Sequence, residues 1–257
     1  MDEWKQNFDP LASRVVTLAK KVGNVICQIY ESGFDVFKKE DGSPVTQADH
    51  QSHSLLKMGL ESLIPIIPVI SEEDENSWAI KSPYYWLIDP LDGTKGFIKK
   101  TGEFCINIAL MEKDRPIFGL IHIPLKDETF YGYNRRAWKQ TNGKISSIHT
   151  RFPPSQGMTL LLSGYGKTFK EQRTALLKSY SITKIETIHS AIKFCHIADG
   201  QADLYIRFAP CGEWDTAAGH ILVEAAGGKM TKLNGTPFLY GKPGLINEGF
   251  IVSGITL

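Results

Sequence analysis

The sequence has few cysteines and no paired ones. Cys27, Cys105, Cys195 and Cys211 are scattered through 257 residues, and no two stand in a C-x-x-C spacing. That removes the usual signature of a structural zinc site. So sparse a set reads as buried free thiols in a reducing compartment. Charge of one sign is also lacking. Lys and Arg number 29 and Asp and Glu 28, a formal net charge of +1, so the basic excess of a nucleic-acid binder is missing. No run is long enough to span a bilayer. The most apolar stretch, Leu63 to Ile70, is broken by Pro65 and Pro68 and falls far short of the ~20 residues required. The first residues, Met1-Asp2-Glu3-Trp4-Lys5, lack the basic and apolar regions of a signal peptide. Internal repeats and low-complexity tracts are absent. The expectation is a cytoplasmic globular protein with no membrane span and no nucleic-acid partner. At 42% hydrophobic, a chain of this length can bury a full core as one large domain or two fused lobes.

What is present has a clear order. Leu11, Val15, Leu18, Val22, Ile26 and Ile29 recur at helical spacing, which predicts an amphipathic helix over 10–31 closed by Gly33. Thr46 can cap a second helix running to about Leu63. Val69-Ile70 and Tyr85 to Ile88 read as short strands leading into acidic loops. Cys105 to Met111, Ile117 to Ile123 and Thr129 to Tyr133 read as consecutive strands with a hairpin turn at Lys113 to Pro116. Trp138 to Ile148 adds a pair around Asn142-Gly143. Arg151-Phe-Pro-Pro-Ser155 is the candidate boundary. Beyond it strands at Leu160–Leu162, Ile182–Thr187 and Leu204–Arg207 alternate with helices over 168–180, 190–199 and 214–226. That order predicts a layered α/β protein with a mixed N-terminal sheet.

The loop Asp89-Pro-Leu-Asp-Gly-Thr94 carries the most chemistry. Pro90 biases Asp89 towards an extended conformation, and a turn then brings Asp92 to the same point. Gly93 lets backbone approach a ligand, and Thr94 opens a short helix whose N–H groups suit an anion. Two carboxylates beside backbone donors suit a hard cation together with a phosphate. Taken alone, the same residues equally describe a turn followed by a helix cap. Two further acidic elements bear on the choice. Glu72-Glu73-Asp74 directly follows a strand, as Asp89 does, and two parallel neighbouring strands would put both loops on one sheet edge. Asp215, in Glu213-Trp-Asp-Thr-Ala-Ala-Gly219, is placed in the first turn of a helix. The small residues after it, with Gly219 costing ~1 kcal/mol relative to Ala, imply a packing demand.

Together, Glu72-Glu73, Asp89 to Thr94 and Trp214 to Gly219 resemble the three signatures of the inositol monophosphatase superfamily of metal-dependent, lithium-sensitive phosphatases. Those signatures are an acidic Glu-Glu loop, an Asp-Pro-x-Asp-Gly-Thr loop and a Trp-Asp-x-Ala-Ala-Gly helix start, here all present and in order. Within the superfamily, Lys38 to Asp49, Ser190-Ala-Ile-Lys-Phe-Cys195, Gly200 to Tyr205 and Arg207-Phe208 are similar to the CysQ-type 3′(2′),5′-bisphosphate nucleotidases.

The resemblance implies an αβαβα sandwich forming a single phosphatase domain over 1–257. An N-terminal α+β lobe, 1–150, would carry most metal ligands, and a C-terminal α/β lobe, 151–257, would carry Asp215 and the substrate contacts. It implies hydrolysis of the 3′-phosphate of adenosine 3′,5′-bisphosphate to AMP in sulfur assimilation, with 3′-phosphoadenylyl sulfate as a second substrate, by a monomer or homodimer. It implies two Mg2+ ions, with a weaker third. One ion falls to Glu72, Asp89 and the Leu91 carbonyl, the second to Asp89, Asp92 and Asp215, and the third to Glu72. Asp49 and Thr94 become the pair that orients and deprotonates water. Gly93, Thr94, Ser190, Lys193, Arg207 and Asp215 become substrate contacts, with Lys193 and Arg207 serving a second phosphate. His189-Ser190-Ala191, Lys95-Gly96, the residues after Arg207 and loop 163–167 depart from that branch's usual pattern. They keep an inositol monophosphatase or sugar-phosphate phosphatase open as the alternative enzyme. A regulatory RNA- or transcription-machinery-binding protein is the alternative outside enzymes.

Overall fold

The computed structural model describes residues 7–39, 42–163 and 169–254. Met1 to Lys5, Glu40-Asp41 and most of loop 163–167, all singled out above, lie outside the described residues, as does the start of the helix expected at 168.

The first helix, α1 (Asp9–Ser32), buries Leu11, Val15, Val22, Ile26 and Ile29 on one face and closes at Gly33 with φ of 92°. A short antiparallel hairpin follows, β1 (Val36–Lys38) with β2 (Pro44–Thr46). It leads into α2 (Gln47–Leu63), which Thr46 caps as expected. Next come β3 (Val69–Ser71), β4 (Tyr84–Asp92), the one-turn α3 (Thr94–Ile98), β5 (Cys105–Glu112), β6 (Arg115–Ile123), β7 (Glu128–Tyr133), β8 (Arg136–Thr141) and β9 (Lys144–Ile148). These strands form a seven-stranded sheet in sequential order, with β3 and β4 parallel and every later pair antiparallel. The hairpins expected at 113–116 and 142–143 are both present.

The segment 151–155 runs between β9 and β10 (Met158–Leu162). After it come α4 (Lys170–Leu177), β11 (Ile182–Thr187), α5 (Ile192–Ala198), β12 (Leu204–Arg207), β13 (Cys211–Gly212), α6 (Ala217–Ala225), β14 (Lys229–Lys232), β15 (Ile246–Asn247) and β16 (Phe250–Ser253). The second sheet has the order β11-β10-β12-β16-β14. Its first three strands are parallel, as alternation predicts, but β16 and β14 join antiparallel. Sequence reasoning misses these two because β14 holds one apolar residue, Met230, among Lys and Thr, and among the described residues neither strand is followed by an α-helix that would mark it as part of the alternation. β13 and β15 form a separate antiparallel pair.

Burial explains the layers. Strand residues of the seven-stranded sheet are apolar on both faces. Trp86, Ile88, Ile106, Ile108 and Leu120 pack on α1 and α2 in one core. Leu87, Ala109, Ile121 and Phe130 face the opposite way, into a core shared with α5, α6 and the near face of the five-stranded sheet, including Leu161, Tyr205 and Val252. Leu160, Leu204 and Ile206 on its far face pack with Leu177 of α4. The stack is α, β, α, β, α, the architecture expected. Gly219 answers its packing demand here: a Cβ at that position would lie 2.2 Å from the Phe194 ring. The demand comes from a neighbouring helix rather than from a ligand. Among the described residues, no helix is long and apolar enough to cross a membrane.

Candidate active site

Parallel pairing of β3 with β4 puts their carboxyl ends on one edge, and the acidic loops leave from there. Glu72 is tied to this edge by its N–H, which donates to Ile88 O at 3.2 Å. At the end of β4 the register against β5 breaks between Asp89, opposite Asn107, and Asp92, opposite Cys105. Pro90 and Leu91 are thereby thrown out of the ladder, which turns both carboxylates to one side. Asp89 is buried, and its Oδ1 accepts the Leu91 N–H at 3.0 Å. Gly93 takes φ of 97°, and a Cβ there would stand 2.5 Å from Glu103 O, so only glycine fits.

Carboxylate oxygens of Glu72, Asp89 and Asp215 come within 4.8 Å of one another. Asp215 arrives from the other sheet's side, in a tight turn. Its N–H donates to Gly212 O at 3.3 Å and its Oδ2 accepts the Gly212 N–H at 3.1 Å. The expected place for Asp215 in the first turn of a helix is therefore corrected: α6 begins only at Ala217, because Asp215 closes this turn instead. Asp92 stands beside the trio but spends Oδ2 on Asn107 Nδ2, at 3.3 Å, and on the Ala191 N–H.

Electrostatics mark the cluster. Burial, then Glu72, Asp92 and Asp215, hold the Asp89 carboxyl well above the usual carboxylate range. Burial raises Asp92 too, against the pull of Lys193. Asp215 is pushed up to about 8 by burial and by Asp92 and Glu72. Buried like charges of this kind are costly unless a cation answers them. Two lysines answer in part. Lys39, from the loop after β1, donates to Glu72 Oε1 at 2.9 Å and Glu73 Oε1 at 2.7 Å. Burial works against its charge, but these two glutamates outweigh it and hold Lys39 protonated.

Asp49 and Thr94 meet. Thr94 Oγ1 donates to Asp49 Oδ1 at 3.1 Å and lies 3.2 Å from Leu91 O. Asp49 Oδ2 accepts both the Thr46 N–H and its hydroxyl at 2.7 Å. The residue is thus a helix-cap partner and a Thr94 partner at once, one oxygen to each. Burial raises its pKa against the hydrogen bonds from Thr46 and Thr94.

The remaining predicted residues line two connected spaces. A cleft of about 710 Å³ is bounded by Glu72, Asp92, Gly93, Thr94, Lys95, Lys99, His189 and Ser190. A smaller pocket of about 110 Å³ shares Asp92, His189 and Ser190 and adds Lys193, Tyr205, Arg207 and Asp215. Ser190 sits at the start of α5 with φ of 59°. Arg207 donates from Nε to Ala209 O and from Nη2 to Pro210 O, both at 3.2 Å. Lys193 is 1% exposed, donates to Ile188 O at 3.0 Å and to Ser190 O, and stands 5.0 Å over the Tyr205 ring. Burial holds it down to about 8, with Asp92 opposing. It pins the 188–190 segment from beneath.

Lys39, Asn107 and the Ala191 N–H were missed from the sequence. Asn107 alone left a signal, as the one polar residue in Cys105-Ile-Asn-Ile-Ala-Leu-Met111. Lys39 sits among other charged residues of a loop, where nothing distinguishes it.

This arrangement of sheets has known counterparts. Residues 7–251 match the model of the inositol monophosphatase family. The chain belongs to that family and is an enzyme of the phosphoric monoester hydrolase class. It is 39% identical over 248 residues to a 3′(2′),5′-bisphosphate nucleotidase CysQ of Escherichia coli O157:H7, covering 95% of this chain and 99% of that one. A CysQ of the same description from Buchnera aphidicola is 36% identical over 260 residues, 98% and 95% of the two chains. Among solved structures it is similar to CysQ from Bacteroides thetaiotaomicron, with a TM-score of 0.83 and 32% identity over 98% of this chain and 100% of that one.

Proposed function

We propose that this chain is a magnesium-dependent phosphatase that removes the 3′-phosphate of adenosine 3′,5′-bisphosphate, giving AMP and inorganic phosphate in cytoplasmic sulfur assimilation. The observation that carries the reading is the approach of Glu72, Asp89 and Asp215 oxygens within 4.8 Å beside the Thr94–Asp49 hydrogen bond. The activity named for the CysQ relatives supports the choice of substrate.

The donor set fits magnesium: every donor is an oxygen, and the carboxylates repel one another in a buried place. Glu72, Asp89 and the Leu91 carbonyl would hold one ion, Asp89, Asp92 and Asp215 a second, and Glu72 a weaker third. Bound magnesium supplies Lewis acidity to the attacking water and the leaving oxygen. Thr94 Oγ1 orients that water, and Asp49 Oδ1 takes up the proton relayed through it. Asp49 Oδ2 stays tied to Thr46, so the carboxylate cannot swing away. Backbone N–H groups of Gly93 and Thr94 hold phosphate oxygens. The 710 Å³ cleft has room for a nucleoside, and the 110 Å³ pocket beside Ser190 and Arg207 is of a size for the second phosphate. Lys193 keeps Ser190 in place and balances Asp92. Residues 1–150 thus supply most of the metal site and 151–257 supply Asp215 and the substrate contacts.

The test compares phosphate release from adenosine 3′,5′-bisphosphate with that from inositol 1-phosphate. The bisphosphate should be preferred in kcat/KM by at least about a hundredfold, because a site built for polar partners strongly rejects an analogue lacking them. Equal or reversed preference would sink the substrate assignment and leave the phosphatase class intact.

A further inference from the structure

Glu72 and Asp215 come from different sheets, so something must hold their loops at a fixed separation. The residues that meet behind them are two tryptophans. Trp78 lies in a single 3₁₀ turn, Glu75–Ala79, just after the Glu72 loop. Its indole Nε1 donates to Ser71 O at 2.8 Å, one residue before Glu72. The same turn grips Ser71 from its other side, where Ser77 Oγ accepts the Ser71 N–H at 3.1 Å. The Trp78 ring packs on Trp214, centroids 4.9 Å apart. Trp214 directly precedes Asp215 and is seated on Gly212, where a Cβ would lie 2.3 Å from the indole. Gly212 in turn donates its N–H to Asp215 Oδ2.

We infer that Trp78 is a positioning residue for the metal site: its N–H fixes the Glu72 loop, its ring fixes the Asp215 turn, and together they set the spacing of the two carboxylates. The inference rests on the metal-dependent reading above. Two independent contacts carry it, one polar and one apolar, each reaching the residue that directly precedes a different ligand. Neither tryptophan lines the cleft or the pocket that would hold the substrate. The effect should therefore fall on metal affinity, with the substrate untouched.

The experiment uses the full chain, titrated with Mn2+ by calorimetry and assayed in parallel with Mg2+. Trp78→Phe keeps a ring but loses the donor. It should weaken Mn2+ binding and raise the Mg2+ needed for half-activity roughly threefold to tenfold, the size of one net hydrogen bond. Trp78→Leu also loses the ring contact and should weaken Mn2+ further. At saturating Mg2+, kcat and the substrate KM should stay within about twofold for Trp78→Phe. Added to Glu72→Gln, Trp78→Phe should weaken Mn2+ less than it does in the wild type, because the ligand it steadies is already impaired. Unchanged Mn2+ affinity in Trp78→Phe overturns the inference, even if the melting temperature falls, because the indole would then only support the fold. A raised KM at saturating metal would also overturn it. Absence of Mn2+ binding by the wild type would instead sink the metal-dependent reading itself.

Discussion

The two halves of the site are built differently. The proposed metal and water-activating half comes from residues 46–94 together with Asp215, side chains that converge on one sheet edge. Asp89 accepts from Leu91, Asp49 from Thr46, and Thr94 donates to Asp49 and lies near Leu91 O. The proposed substrate half gathers Ser190, Lys193 and Arg207 from separate elements of residues 188–207, and backbone carbonyls hold its cations. In the first half side chains from different elements bond one another, as Thr94 does Asp49, whereas in the second each cation is held by carbonyls two to five residues away along its own chain. Changes in the first half should therefore stop turnover, and changes in the second should alter what is turned over.

The largest expected effect belongs to Asp89→Asn. Losing a ligand shared by both proposed ions removes several kcal/mol of charge stabilisation, so kcat should fall at least about 10³-fold. Circular dichroism should remain that of the folded protein. Next is Thr94→Ala, for which kcat should drop about 10²- to 10⁴-fold with KM little changed, the range of a lost proton-transfer partner. Thr94→Ser should restore most of the rate. Asp49→Asn should lose rate similarly and about 1 kcal/mol of stability as well, because it also caps a helix.

Arg207→Ala should separate the halves. KM for the bisphosphate should rise about tenfold or more, in line with the loss of a charge-assisted hydrogen bond, with kcat nearly kept. A 3′-monophosphate lacking the 5′ group should show no such change.

Stability against pH gives a subtler contrast. Asp215 titrates near 8 in the fold, and Glu73 is raised to about 7 by burial and by Glu72. Each binds more protons folded than unfolded between its ordinary value and its raised one. Stability should therefore fall as pH rises through this range. Burial holds His53, His122 and His196 below their ordinary value, so their opposite slope ends near pH 6.5, and that of Lys193 begins only near 8. From pH 6.5 to 8, the melting temperature without divalent cation should fall, and saturating Mg2+ should flatten the decline. The smallest effect on rate should come from Gly219→Ala. It should cost about 1–3 kcal/mol through collision with Phe194 and leave kcat unchanged at permissive temperature.

The same contrast explains what was legible beforehand. Asp89, Asp92, Gly93 and Thr94 could be read because the turn geometry they need is written in consecutive residue types. The strands of the seven-stranded sheet could be read because hairpin turns punctuate them. The pairing of Asp49 with Thr94 came only through the family resemblance, because the contact spans 45 positions and leaves no local pattern. Lys193 reads as a phosphate-binding cation in sequence; in the fold it lines the smaller pocket but is buried, with carbonyls five and three residues earlier as its partners. Lys39 and Trp78 leave no signal for a different reason: what they touch is decided by tertiary packing. β14 and β16 fall outside the strand–helix alternation and find their place only by pairing.

The most direct measurement is the initial rate of phosphate release from adenosine 3′,5′-bisphosphate as Mg2+ is titrated, for wild type and Asp89→Asn side by side. The account predicts saturable Mg2+ activation of the wild type, abolition by EDTA, recovery on adding Mg2+ back, and no comparable activation of the variant. Equal Mg2+ activation of Asp89→Asn, or full wild-type activity in EDTA, would contradict it.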